Sequence, residues 1–309
     1  MQLSLASTMP LMLNQIIAMF LMMGVGAICF KAGFITKDGS KVLTNLACYV
    51  STPAVVLRAL ASKFDPEVAA NVAWVVGVTC ILMVVCIVCA RLAYGSNGNR
   101  AAQVGIIVSN MGFVGIPLVE GVIGEEYVIY ISATIAAQTV FIWTYCVWMY
   151  TRDRSTVSVK KVFTNPVIIS VIVGFAMFFL SYEPQGVVKV FVDGMANLNT
   201  GLGMLIVGIF LAQSDLRALL RTRSIYKASA LRLLVTAGIA ALILAVTPMP
   251  QDCKAVLLIA FSCPCGAMSS MMPQLFGGDY RFGAGLVTIS TLLSIVTMPA
   301  LLSAGLMLF

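Results

Sequence analysis

Hydrophobic residues run along the chain in long segments that short polar connectors separate. Ten segments can be distinguished, and most of them are long enough to cross a hydrocarbon layer of about 30 Å as a helix. They lie at about 11–30, 42–62, 67–90, 101–123, 125–149, 163–180, 186–211, 225–247, 253–276 and 282–308. The pattern predicts an all-α polytopic membrane protein with ten transmembrane helices.

Composition supports this class. The chain is 60% hydrophobic and 10% charged, with a mean hydropathy of +1.01, which exceeds what a soluble domain of 309 residues needs for its core. The stretch 1–10 contains no Lys or Arg and therefore lacks the basic region of a cleavable signal peptide. We expect the first segment to be a retained helix.

Basic residues predict the orientation of the segments, because Lys and Arg in short connectors stay on the cytoplasmic side. Fourteen of the nineteen basic residues fall in alternate connectors. These fourteen are Lys31, Lys37, Lys41, Arg91, Arg100, Arg152, Arg154, Lys160, Lys161, Arg217, Arg221, Arg223, Lys227 and Arg281. Both termini are therefore predicted to lie outside a cytoplasmic (inner) membrane. The net charge of +7 is a topology signal rather than a nucleic-acid surface.

Two of the hydrophobic segments are interrupted by glycine, proline and small polar residues. The fourth segment contains the stretch from Asn110 to Pro117, and the ninth contains the stretch from Ser262 to Pro273. An unpaired backbone group inside a bilayer costs about several kcal/mol, so such a stretch is tolerated only where it lines a cavity. A pair of proline kinks is the alternative, but plain kinks seldom contain so many small and polar residues. Matching interruptions in two halves indicate the binding site of a secondary transporter.

Ten segments divide into two halves of five, which makes an internal repeat an inverted one. The predicted halves are residues 1–150, with helices 1–5, and residues 151–309, with helices 6–10. Weak similarities support the repeat. Asn45-Leu46 resembles Asn197-Leu198, and Thr134-Ile135 resembles Thr288-Ile289.

The first interruption has residues suited to an anion. Half-helices that meet inside a membrane direct unpaired amides and a helix dipole at the gap. Asn110 adds an uncharged donor and acceptor, Gly112 and Gly115 allow a close approach of backbone, and Pro117 suits the first turn of the second half-helix. The second interruption offers a related set with serine hydroxyls. The candidate substrate-binding residues are Asn110, Met111, Gly112, Gly115, Pro117, Ser262, Cys263, Pro264, Cys265, Gly266 and Ser269.

Other polar residues within hydrophobic segments are weaker candidates for a transport pathway or for coupling. They are Asn14, Asn45, Ser51, Thr52, Glu120, Gln138, Asp193 and Asn197, to which Asn199, Thr200 and Ser290 can be added. For most of them we expect hydrogen bonds between helices. The two carboxylates could carry a proton or simply reach the outer interface. Arg58 and Arg232 are close to segment ends, where we expect them to extend toward the interface.

Several absences exclude other functions. The chain has no His, no HExxH motif and no Gly-rich phosphate loop, which disfavours zinc proteolysis and ATP-driven transport. An intramembrane enzyme would need a nucleophile and a base, and no such pair can be assembled without His. We predict no cofactor, no metal site and no enzymatic activity.

The residues of several segments resemble the auxin efflux carrier family, which includes bacterial permeases for malate- and malonate-like acids and plant auxin exporters. The resemblance rests on the stretches 30–36, 49–53, 110–117, 165–166, 262–264 and 288–299. Of these, the Asn-x-x-x-x-Gly-Ile-Pro stretch at Asn110 and the last segment are the most specific.

This resemblance implies a fold similar to bile acid symporters and sodium/proton antiporters. Broken helices 4 and 9 would cross at the substrate site, and a gate of helices 1, 2, 6 and 7 would move against the remaining scaffold. Asn110 would contact the substrate carboxylate, while Pro117 and Pro264 would mark the two breaks. The long cytosolic loop of the plant members is absent here, so regulation through that loop is not implied.

The leading interpretation is a secondary transporter that moves a small organic anion by alternating access. A passive organic-anion channel and a membrane sensor that does not transport are the alternatives. The predicted partners are the anion, a coupled proton or sodium ion, the lipid bilayer and, through helix faces rich in Gly and Ala, a second copy in a homodimer.

Overall fold

The computed structural model describes residues 5–96, 98–153, 159–213 and 221–309. Within these ranges the chain is all-helical, apart from turns and one isolated β-bridge. In chain order the helices are α1 (Leu5–Lys31), α2 (Lys37–Leu60), α3 (Pro66–Tyr94), α4 (Arg100–Ile107), α5 (Met111–Val122), α6 (Glu125–Thr151), α7 (Val159–Phe163), α8 (Pro166–Phe179), α9 (Gly186–Gln213), α10 (Arg223–Val246), α11 (Gln251–Ser262), α12 (Met268–Phe276) and α13 (Tyr280–Leu308).

Among the described residues, seven helices are long and apolar enough to cross a membrane, namely α1, α2, α3, α6, α9, α10 and α13. They coincide with seven of the predicted segments. The sixth predicted segment appears as the shorter α8, the fourth as α4 followed by α5, and the ninth as α11 followed by α12. The prediction of an all-α, multi-pass membrane protein is confirmed, whereas ten spans and an inverted repeat stay predictions. Arg154 and Arg217, which contributed to the predicted orientation, lie outside the described residues.

Short polar side chains begin several of the helices. Thr36, Asp65, Asn99, Asn165 and Asp279 each accept a hydrogen bond from a backbone N–H in the first turn of the helix that follows. Such caps satisfy amides that have no partner within the helix. The polar connectors of the sequence therefore determine where these helices start.

Four of the helices contain a single π turn, at Ala47–Ser51, Met111–Gly115, Ile142–Cys146 and Leu231–Thr236. In α2 and α5 the π turn comes just before a proline, Pro53 and Pro117 respectively. Proline has no N–H to donate to the preceding turn, and the wider turn accommodates this loss. Pro117 lies in the first turn of the α-helical part of α5, as predicted, but α5 itself already begins at Met111.

Helices α1 and α9 pack with their backbones in contact. A Cβ atom at Gly26 would overlap the backbone of Leu205, and one at Gly208 would overlap the carbonyl of Met23. Small residues allow this close approach in the absence of a hydrophobic driving force between membrane helices. The glycines of α1 and α9 therefore allow these two helices to pack closely against each other.

Many helix ends lie at two faces of the molecule. We call the face with Lys37, Lys41 and Arg281 the basic face and the other one the opposite face. At the basic face, Nε2 of Gln213 at the end of α9 donates to Oγ of Ser40 near the start of α2, over 3.1 Å. At the opposite face, Tyr127 near the start of α6 donates to Asp252 at the start of α11, over 2.8 Å. The basic face also contains the start of α13 with Arg281.

Candidate functional site

The two interruptions meet and pair through their backbones. The amide of Asn110 donates to the carbonyl of Pro264 over 2.9 Å, and the amide of Gly266 donates to the carbonyl of Val108 over 2.8 Å. These bonds form an isolated antiparallel bridge between Ser109 and Cys265. Backbone groups that leave the helical ladder thus satisfy one another. Residues from the two interruptions, more than 150 positions apart in the sequence, lie in one place.

Side chains from two neighbouring helices complete this bridge. The amide group of Gln138 on α6 pairs with the backbone of Ser109, accepting from its N–H at 3.0 Å and donating to its carbonyl at 3.0 Å. On the other side, the Cys265 amide donates to Oγ of Ser290 on α13 at 3.1 Å. Gln138 was a pathway candidate, and the structure engages its side chain in holding the first interruption.

Arg232 joins the C-terminal ends of the two first half-helices, α4 and α11. Its guanidinium is fully buried and donates to the carbonyls of Ile106, Phe261 and Cys263 at 3.2, 3.0 and 3.1 Å. The expectation that Arg232 extends to the membrane interface is therefore wrong. Helix C-termini carry partial negative charge and unpaired carbonyls, and Arg has the fork of donors that both need. The signal missed in the sequence was a lone arginine in an otherwise apolar stretch near a segment end.

The N-terminal ends of α5 and α12 have no comparable counter-charge. Asn110 precedes α5 and Ala267 precedes α12. Among residues whose side chains the structure describes, Arg232 is the one charged residue in the buried set, so no buried carboxylate neutralises these ends. Where the two interruptions meet, Arg232 therefore compensates the partial negative charge at the ends of α4 and α11. The partial positive charge at the starts of α5 and α12 is not compensated.

Asn110 has a donor to spare. Asn110 is 6% exposed, and its Nδ2 has no hydrogen-bond partner among the described residues. Two residues further, no atom lies within 4 Å of the place where a Cβ on Gly112 would stand. A buried amide without a partner is costly, which makes it a candidate for contact with a ligand.

Other predicted site residues serve packing or internal hydrogen bonds. A Cβ on Gly115 would stand 2.8 Å from the Ile131 side chain and 3.3 Å from Sγ of Cys263, while one on Gly266 would stand 3.0 Å from Val108. Ser269 donates to the carbonyl of Gly266 at 2.6 Å. These two glycines bring the interruptions together, whereas the sequence suggested close approach to a ligand.

The remaining candidates of the interruptions are buried. Met111 is fully buried, and the carbonyl of Pro117 accepts a hydrogen bond from Nε2 of Gln15 on α1 at 3.0 Å. Oγ of Ser262 is buried without a partner in the protein. Pro264 and Cys265 contribute their backbones to the bridge.

Asn199 on α9 connects the first interruption with α2. Its Oδ1 accepts from the hydroxyls of Ser51 at 3.3 Å and Thr52 at 2.9 Å, and its Nδ2 donates to the carbonyl of Gly112 at 3.1 Å. Asn199 is 1% exposed. Ser51 and Thr52, both pathway candidates, therefore bind Asn199, which in turn binds the backbone of the first interruption. The sequence did not rank Asn199 higher than its neighbours.

An ionic cluster lies at the opposite face. Arg58, at the end of α2, donates to Glu120 on α5 at 2.8 Å and to Asn197 on α9 at 2.8 Å, and it pairs with Glu125 at 3.3 Å. The Arg58 side chain is 19% exposed and that of Glu120 is 25% exposed. Both charges are engaged across helices near the end of α2, and the extension of Arg58 to the interface stays a prediction.

Two further pathway candidates lie away from the interruptions. Asp193 pairs with Lys189 one turn earlier on α9, at 3.2 Å, and lines a smaller recess at the opposite face. Asn14 lies on the exposed surface of α1.

A cavity of about 820 Å³ lies at the basic face. Helices α1, α2, α9, α12 and α13 contribute its walls. Asn45 lines it, as do Lys37, Lys41 and Arg281, and it extends to Ala267 at the start of α12. The cavity therefore reaches the second interruption from the basic face, while the ionic cluster of Arg58 lies at the other end of α2.

Comparison with known families agrees with this architecture. A family model described as "Membrane transport protein" matches residues 11–302. The chain therefore belongs to this family, the auxin efflux carrier family, and it is a membrane transport protein. A comparison with curated proteins found no match.

Proposed function

We propose that this protein is a secondary transporter that carries a small organic anion, a carboxylate, across the cytoplasmic membrane by alternating access. The observation that carries the proposal is the buried Nδ2 of Asn110, which has no partner and stands at the N-terminus of α5. A carboxylate oxygen would accept from this group and would also be stabilised by the helix dipole.

The charge distribution at the paired interruptions favours an anion over a cation. Arg232 already satisfies the carbonyls at the two C-terminal ends, which are the groups that would attract a cation. The two N-terminal ends have no buried carboxylate beside them among the described side chains. A transported cation would meet uncompensated positive ends, whereas an anion would complement them.

The difference between the two faces supports a moving site. The basic face has the large cavity that leads to Ala267, and the opposite face is held by Arg58, Glu120 and Asn197. We assign the structure to a state that faces the basic side, which is the cytoplasmic side on the positive-inside rule and leaves both termini outside. Opening the other side would require the Arg58 cluster to separate.

Residues on α1, α2 and α9 contact the first interruption or the half-helix α5. Gln15 bonds Pro117, Asn199 bonds Gly112, and Arg58 bonds Glu120. This supports a gate that includes α1, α2 and α9 and moves relative to α5, with a scaffold built around the paired interruptions. The proposal includes ten membrane segments in two inverted halves, residues 1–150 and 151–309. Glu120 is the candidate for a coupled proton because it would lose its Arg58 partner when the gate opens.

The first test is the uptake of radiolabelled malate into proteoliposomes that contain the purified protein. Three conditions are compared: an imposed proton gradient, an imposed sodium gradient, and neither. The proposal predicts uptake that saturates with malate, and the gradient that stimulates it identifies the coupled ion. Flux that never saturates would indicate a channel instead of a carrier.

Asn110→Ala is the variant that tests the site. It should reduce saturable malate uptake by about 30- to 100-fold while membrane insertion and the amount of purified protein stay unchanged. Asn14→Ala is the matched control, since the same side chain is removed from an exposed position of α1. Normal transport by Asn110→Ala would remove the site assignment. A wild-type protein that transports neither malate nor malonate would remove this substrate class.

A further inference from the structure

The mouth of the basic-face cavity has an arrangement of charges that the interruptions do not explain. Three cationic side chains line it, Lys37 and Lys41 from the start of α2 and Arg281 from the start of α13. No Asp or Glu lines the cavity among the described residues. Two helices that are separate in the sequence therefore direct positive charge at the same opening.

The positions of two of these cations are unfavourable for the helices themselves. Lys37 is the first residue of α2, and Arg281 is the second residue of α13. Helix N-termini carry partial positive charge, so cations there are repelled, whereas an anion is stabilised. Both helices nevertheless have these cations in their first turn. Asp38 in the first turn of α2 and Asp279 at the cap of α13 offset part of this repulsion, and an anion held between the two starts would offset more of it.

The local partners of these cations include Asp38, Asp279 and Tyr280. Lys41 pairs with Asp38 at 3.0 Å, and both side chains are well exposed. Nζ of Lys37 lies 5.9 Å from the centre of the Tyr280 ring, and Arg281 hydrogen-bonds the same tyrosine. Tyr280 thus lies beside both Lys37 and Arg281, and Asp279 interacts electrostatically with Arg281.

We propose that Lys37, Lys41 and Arg281 form an anion-binding station at the cytoplasmic mouth, separate from Asn110, which holds a carboxylate before or after its transfer at the interruptions. Asn45 and Thr44 continue the polar lining from the station along α2, and Ala267 marks its inner end. The inference rests on the proposed function and deepens it, because it adds a second site on the route of the same anion.

A free anion fits this station better than a lipid headgroup. The three cations line a cavity between helices that continues to the start of α12. A headgroup held only at the outer rim would not use Asn45 or Ala267, which lie on the same wall. The two sources share the same chemistry, a small oxyanion, and the experiment separates them.

The experiment measures equilibrium binding of malonate to the protein in phosphatidylcholine nanodiscs at low ionic strength. Asn110→Ala is the starting protein, so that the station is observed without the deeper site. If the station exists, malonate should bind weakly and saturably. The Kd should increase with salt concentration, because salt ions screen an exposed charge cluster. Adding Lys37→Gln and Arg281→Gln should raise Kd by about fivefold or more.

Lys31→Gln in the Asn110→Ala protein is the matched control. It removes one positive charge close in sequence to Lys37, but Lys31 does not line the cavity. Kd should stay within about twofold, because only charge at a distance is removed. An equal loss in Lys31→Gln would show a general surface effect and overturn the station, as would an absence of malonate binding to Asn110→Ala.

Two further readouts keep the explanations separate. Nanodiscs that contain phosphatidylglycerol should bind malonate with nearly the same Kd, whereas loss of binding there would assign the cations to a lipid headgroup and overturn the proposal. Malonate binding to Asn110→Ala, together with no flux through the wild type, would leave the station and remove the transport function. Flux through the wild type without malonate binding to Asn110→Ala would leave the transport function and remove the station.

Discussion

The two interruptions look equivalent in the sequence, but their surroundings differ. The first keeps an unpartnered donor on Asn110 and open space beside Gly112. In the second, the Cys265 amide is bound by Ser290, and Gly266 is packed against Val108. Both interruptions contain a buried group without a partner among the described residues, Nδ2 of Asn110 and Oγ of Ser262, but open space lies beside the first, whereas Gly266 in the second is packed. A pair of matching breaks therefore need not be a pair of matching binding sites.

The largest effect should come from the residue that both interruptions share. Arg232→Met would leave the carbonyls of Ile106, Phe261 and Cys263 without their donor, which should destabilise the fold by about 3 kcal/mol or more. Thermal unfolding followed by tryptophan fluorescence measures the change. Arg223→Met, at an exposed position of α10, is the control.

Arg232→Lys sharpens the same test. Lysine keeps the positive charge but lacks the planar fork that reaches three carbonyls, so we expect an intermediate loss. If Arg232→Met unfolds at the same temperature as Arg223→Met, the paired helix ends do not depend on the guanidinium.

Transport should distinguish the two interruptions next. Asn110→Ala and Ser262→Ala each remove a buried polar group that has no partner, so neither should lower stability. Their effects on malate uptake should differ: Asn110→Ala should reduce it by about 30- to 100-fold, the equivalent of a hydrogen bond to a charged group, whereas Ser262→Ala should reduce it less than about threefold. Equal losses would mean that both interruptions contact the substrate.

The glycines of the first interruption provide a comparison within one helix. Gly115→Ala would place a Cβ 2.8 Å from Ile131 and should cost about 1–3 kcal/mol through overpacking. Gly112→Ala meets no atom within 4 Å and should change stability by less than about 0.5 kcal/mol, while it narrows the space next to Asn110 and raises the malate concentration for half-maximal flux. The reverse order of stabilities would contradict the packing described for these two positions.

The smallest effect should be at the support of the second interruption. Ser290→Ala removes the acceptor for the Cys265 amide and should cost about 1 kcal/mol, with uptake retained in proportion to the folded protein. Gln138→Ala removes both backbone bonds of Ser109 and should cost more. Urea or thermal unfolding of the two variants side by side provides the check, and a larger loss in Ser290→Ala would be the unexpected result.

The sequence was sufficient to predict the helices and the two interruptions, but it was insufficient to predict what individual polar side chains bind. The prediction of a polytopic all-α membrane protein followed from segment length and hydropathy, and the two interruptions followed from Gly, Pro and small polar residues inside those segments. The roles of Gln138, Asn199 and Arg232 could not be read in the same way. Each acts on backbone groups between 29 and 126 positions away, and no local pattern contains that information.

Arg232 shows why tertiary contacts changed the interpretation. A single arginine near a predicted helix end is ordinarily expected to reach water, because a buried charge is expensive. Here three carbonyls from two half-helices converge on it, and only the crossing of α4 and α11 creates that group of acceptors. Arg58 also has partners on three other elements, Glu120, Glu125 and Asn197, which the local sequence around it does not reveal.

By itself the sequence determined that this chain is a helical membrane protein with two interrupted segments, since hydropathy and helix-breaking residues act locally along the chain. The tertiary structure decided which polar groups of the two interruptions have hydrogen-bond partners. The backbone at Ser109 and Cys265 pairs across the crossing, Arg232 satisfies the negative helix ends, and the amide of Asn110 is left with a donor to spare. Whether a polar group is satisfied depends on what the fold brings within hydrogen-bond distance, and that is a property of the packed helices together.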